Sequence, residues 1–224
     1  MIEFFLAIAV FLTAHVLPAA TGLRARAISR FGRGPYIAAY SLVSLVCLAW
    51  VIAAALTAPS VEVWPPSRAA ALVPFIAMLP ASILLAGAVA QPSPLSVTFR
   101  GGLPDPGRTG LVGRLRHPIL WAFFLCSASN LVANGDLVGV VLFGSLALFS
   151  LVGMKRMEGR ARSRLSAQDY ALAEALTSGG PAARFAGLAK GRALVEVLSG
   201  LLLYVALLHL HGPVIGVAPQ TWLS

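Results

Sequence analysis

Six long apolar stretches divide this chain, and sixteen of its seventeen Lys and Arg residues fall in alternate gaps between them. A hydrocarbon core about 30 Å thick takes roughly 20 apolar residues of helix to cross. The stretches at about 2–20, 35–57, 69–90, 117–134, 136–154 and 193–211 approach or exceed that length. Only 11% of the residues are charged and the mean hydropathy is +0.84, so the chain cannot clothe a water-facing surface of ordinary composition. The expectation is a single all-α membrane domain over residues 1–224, a polytopic transmembrane helix bundle of about six spans. Strands are excluded because the runs are long, lack period-2 alternation and would leave unpaired edges in lipid.

The basic residues set the orientation. Arg24, Arg26, Arg30 and Arg33 follow the first span, and Arg100, Arg108, Arg114 and Arg116 follow the third. The fifth is followed by a loop over 155–192 that holds the other eight, while the even-numbered gaps contain Arg68 alone. The positive-inside rule then makes the odd gaps cytosolic and puts both termini outside, in a plasma or bacterial inner membrane. A net charge of +9 raises the question of nucleic acid, but the cations are juxtamembrane and no recognition module surrounds them. The lipid bilayer is the expected partner. Residues 1–20 carry Glu3 and no basic n-region, unlike a signal peptide.

Two internal features modify the helices and their connections. Pro74 and Pro80 lie inside the third span and predict a bend. Residues 91–116 are rich in Gly and Pro and predict irregular structure, whereas 154–176 can extend the fifth helix as a basic stretch, broken at Gly179, Gly180 and Pro181.

Ionisable groups within spans are costly and point to function. His15 lies about five residues before the cytosolic end of the first span, and His117 opens the fourth from the same side. Two neutral imidazoles at one depth can ligate a haem iron. Arg24, Arg26, Arg114 and Arg116 are at the interface where propionates would need cations. The bland alternative is a His15 hydrogen-bonded to a neighbouring helix and a His117 among headgroups. Glu196, four residues after Arg192, suits either an intrahelical ion pair or acid–base work. His209 and His211 are near the outer end of the sixth span and read as interfacial. Cys47 and Cys126 are spaced for neither a disulfide framework nor zinc. Walker A, GxGxxG, HExxH and GxSxG motifs are absent, as is the series of intramembrane charges that marks a pump.

Three segments in order, AHVLPAATGLRAR (14–26), GRGPYIAAYSLVSLVCLAWVI (32–52) and LRHPILWAFFLCSASNLVANGDLVGVVLFGSLALFSLVG (115–153), resemble the NnrU family of bacterial membrane proteins. The resemblance implies a multi-span protein connected with nitrogen-oxide metabolism and denitrification. It extends to the plant zeta-carotene isomerase, a haem-b membrane enzyme, whose implicated iron ligands correspond to His15 and His117. A haem-b cofactor, a nitric oxide or polyene ligand and a reductase partner are the expectations that follow. Arg116-His117-Pro118 also resembles the isoprenylcysteine and phospholipid methyltransferases, which hold S-adenosylmethionine, with Glu158 near the position of their later acidic motif. An accessory subunit without cofactor is the third class.

Overall fold

A computed structural model describes residues 1–178 and 188–216 of the chain. Eight α-helices and two single turns of 3-10 helix make up its regular structure, with no strand among the described residues. The helices are α1 (Ile2–Ala20), α2 (Leu23–Phe31), α3 (Arg33–Thr57), α4 (Arg68–Ala90), α5 (Pro118–Ala133), α6 (Leu137–Arg164), α7 (Ala167–Ser178) and α8 (Lys190–Ile215). Each of the six expected spans is therefore a helix. Helices α3, α4, α6 and α8 are long and apolar enough to cross a membrane, and the bent pair α1–α2 would make a fifth span. The remaining one, α5, has 16 residues and so extends about 24 Å, short of a full hydrocarbon core.

The chain divides into two compact units, Met1–Val63 with Asp136–Val138, and Trp64–Gly135 with Gly139–Ser224. In the first, α1 packs on α3, and α2 contacts both. Residues 23–31, read from sequence as part of a loop, form a helix. Pro18 lacks the N–H that would continue α1, and Gly22, at φ 73°, takes the left-handed conformation that turns the chain by 68° into α2. Phe4 and Ala7 are fully buried, and Glu3 accepts a hydrogen bond from the Trp50 indole at 3.3 Å.

In the second unit α4 is the central helix, packed on α5 and α8. Its N-cap is Ser67, whose hydroxyl accepts from the Ala70 amide at 3.1 Å. Pro74 and Pro80 are both within it. The Tyr204 hydroxyl donates to the Phe75 carbonyl at 3.0 Å, next to the Ile76 carbonyl that Pro80 leaves without its usual partner. Gly200 lets α8 approach α4 so closely that a methyl group there would run into the Ile83 backbone. Pro118 opens α5, the position where a missing N–H has no consequence.

Residues 91–116 are irregular apart from the turns Pro106–Arg108 and Val112–Arg114. As the basic pattern suggests, α6 continues to Arg164, about 42 Å of helix and longer than a membrane needs. Helix α7 then follows rather than lying unpartnered, because Ala173 and Ala161 bury against Leu95 with Leu165 and Tyr170 around them. The expected break at 179–181 lies outside the described residues, as does Arg184.

Candidate functional site

Both units contain sequence-predicted site residues. In the first, His15 is on the last third of α1, where its Nδ1 and the Phe11 carbonyl are 2.7 Å apart. A carbonyl only accepts, so Nδ1 is the donor in this contact. The Phe11 ring stacks at a tilt with centroids 4.3 Å away, and Tyr40 of α3 meets the imidazole edge-on at 5.7 Å. Tyr36 stacks on Tyr40 at 5.9 Å. Arg24 and Arg26 are exposed on α2, with no ion pair among the described residues.

In the second unit the 91–116 loop folds back onto α4 and α8, and Glu196 holds it there. This carboxylate is 2% exposed. One oxygen accepts from the Val112 amide at 3.0 Å and the other from the Gln91 side-chain amide. The Gln91 oxygen in turn accepts from the Gly110 amide at 3.3 Å. A methyl group at Gly110 would occupy the space of the Glu196 carboxylate, so this close approach requires glycine. The expected intrahelical pairing with Arg192 gives way to these contacts. Arg192 donates instead to the Ala90 carbonyl at 2.7 Å, near the C-terminal end of α4. A loop backbone amide and a side-chain amide satisfy the buried carboxylate without a second buried charge, which is the cheaper arrangement in a low dielectric.

Arg116 leaves the same loop toward α6 and α7. Its guanidinium contacts Glu158 at 3.2 Å and Glu174 at 2.7 Å. Glu158 also contacts Arg162, and Arg162 donates to the Tyr170 hydroxyl at 3.1 Å. His117, next in the chain, is 5% exposed, and among the described residues its buried Nδ1 has no hydrogen-bond partner. Such an atom forgoes its water without compensation, a penalty of about 1–3 kcal/mol that marks the residue as unfinished. The sequence thus flagged Arg116, His117 and Glu196, but not Gln91, Gly110 or Glu174. Intramembrane charge was the legible signal; partners 58 and 105 residues away were not.

His209, near the C-terminal end of α8, bonds its own helix, with Nδ1 2.8 Å from the Val205 carbonyl. Cys47 and Cys126 are both free thiols. Among the described residues no three His, Cys, Asp or Glu side chains cluster to hold a metal ion by themselves. A haem iron makes a smaller demand on the chain, because its porphyrin supplies four donors and the protein one or two.

The family model described as NnrU protein matches residues 3–219. This chain belongs to the NnrU family. The match covers both units, including the NnrU segment from α7 through α8 where the sequence resemblance was weakest. No curated protein and no solved structure matches the chain.

Proposed function

We propose that this NnrU-family membrane protein binds b-type haem through His15 and serves redox chemistry of nitrogen oxides in a bacterial inner membrane, with both termini outside. The observation that carries the reading is the His15 imidazole set against the Phe11 and Tyr40 rings, with Nδ1 tied to the Phe11 carbonyl at 2.7 Å. Metal-ligating histidines characteristically donate their other ring N–H to a carbonyl or carboxylate, which sets the tautomer and raises the basicity of the ligating nitrogen. The rings of Phe11 and Tyr40 restrict rotation of the imidazole. Arg24 and Arg26, on the adjoining α2, have side chains long enough to meet haem carboxylates. Arg116 could do so only by leaving Glu158 and Glu174.

In the second unit His117 is a separate imidazole candidate, its buried Nδ1 without a hydrogen-bond partner among the described residues. When bound, haem would supply a redox-active iron that takes nitric oxide or the double bond of a polyene. The chain's own residues would position the iron, keep water away through the apolar side chains of α1 and α3, and neutralise the propionates. Nitrogen-oxide chemistry is the first activity to test and cis–trans isomerisation of a carotenoid the next. The reduced-minus-oxidised absorption spectrum of detergent-purified protein tests the reading. A b-type spectrum that shifts or disappears in His15→Ala is the expected result, with His117→Ala measured alongside. A colourless wild type, expressed with ample haem supply, would remove the proposal.

One observation favours a second reading. Arg116, of the Arg116-His117-Pro118 triplet, touches Glu158, the carboxylate near the acidic position of the membrane methyltransferases. Saturable binding of S-adenosylmethionine lost in Glu158→Gln would favour that class over haem.

A further inference from the structure

A crevice on the second unit runs between α4 and α8 and is not lined by His117. Its inner part has a volume of about 180 Å³, with Ala86, Gly87, Ala90 and Val195 as apolar walls and Arg100, Arg192, Glu196 and Ser199 as polar ones. It adjoins an open groove of about 540 Å³ lined by Val89, Phe99, Arg100 and Gly101. Arg100 borders both.

The charges in this crevice are unbalanced. Among the described residues the Arg100 guanidinium has neither a hydrogen-bond nor an ion-pair partner. Arg192 donates to the Ala90 carbonyl and is within electrostatic reach of Glu196. Glu196 offsets one of the two positive charges and leaves the crevice with a net positive charge. Two cations and one carboxylate thus line a cleft with apolar walls, at the N-terminal end of α8, whose first-turn amides add positive potential. Phe99 is 72% exposed beside them. A wholly aqueous ligand would gain nothing from that ring, whereas an amphiphile would cover it.

We infer that this crevice is a binding site for an anionic glycerophospholipid. The phosphate sits between Arg100 and Arg192, and the first acyl carbons cover Val89, Phe99 and Val195. Basic pockets between membrane helices bind lipid headgroups by this combination of charge and apolar wall.

The test is native mass spectrometry of the full chain, released from micelles containing phosphatidylglycerol and phosphatidylcholine. Wild type is expected to retain one phosphatidylglycerol. A juxtamembrane cation contributes roughly fivefold to such binding, so Arg100→Gln with Arg192→Gln should weaken retention about thirtyfold. The exposed pair Arg156→Gln with Arg160→Gln, equal in charge lost, should leave retention unchanged. Arg100→Lys with Arg192→Lys should recover most of it, which separates lost charge from misfolding. Equal retention by wild type and the Gln variant would overturn the site, and so would equal retention of phosphatidylcholine. Inorganic phosphate that binds alone with the same arginine dependence, and displaces the lipid, would overturn the lipid as its source.

Discussion

Replacement of Glu196 by alanine should release the 91–116 loop from α8. The carboxylate satisfies two donors, the Val112 amide and the Gln91 side-chain amide, and is itself 2% exposed. Alanine leaves both donors without an acceptor in a site closed to water. Each such orphan costs about 1–3 kcal/mol, so the loss is about 2–5 kcal/mol after partial relaxation. Because the interaction joins loop to helix, the loss falls first on local opening rather than on the helices themselves. Limited trypsin digestion in detergent reads this directly. Arg114, at the end of the second 3-10 turn, is 7% exposed and can be cut only when the loop opens. With opening fast relative to cleavage, even 2 kcal/mol raises the rate at Arg114 about thirtyfold. Glu196→Gln keeps one acceptor and should stay within about tenfold of wild type. Cleavage of Glu196→Ala at the wild-type rate would refute the assignment of Glu196 as the anchor.

Gly110→Ala should reproduce much of that effect, since its methyl group meets the same carboxylate, while Gly107→Ala, in ordinary contact with Asp105, should be near neutral by the same digestion. Arg116→Ala frees two carboxylates from α6 and α7, and because all three groups are partly solvated, a loss of about 1 kcal/mol that shrinks with added salt is expected in thermal unfolding. A double-mutant cycle between Arg116→Ala and Glu174→Gln should give a positive coupling, and strict additivity would show that the 2.7 Å contact contributes nothing. Tyr204→Phe removes the hydrogen bond to the Phe75 carbonyl and should destabilise by about 0.5–1.5 kcal/mol, measured as faster thermal inactivation.

Much of the local structure was legible because its cause is local. Spans of apolar residues long enough to cross a bilayer must be helical to satisfy their own backbone, so the six stretches appear as helices near their expected limits. The Gly- and Pro-rich composition of residues 91–116 likewise announced an irregular loop. Helix α2 was missed because its arginines matched the positive-inside pattern and were read for their charge, while the periodicity of Leu23, Ala27, Ile28 and Phe31 went unused.

The sequence by itself determined the helical class, the membrane setting and the residues whose chemistry is out of place in lipid: His15, His117 and Glu196. Tertiary structure decided which partners the charged residues meet. Glu196 anchors the loop through Val112 and Gln91, Arg116 is held by Glu158 and Glu174, and Arg100 and Arg192 line a crevice between α4 and α8. Backbone satisfaction and hydrophobic length act within a segment and can be read along the chain. Pairing of polar side chains depends on which distant segments meet, and a bare sequence of apolar helices, alike in composition, does not distinguish their neighbours.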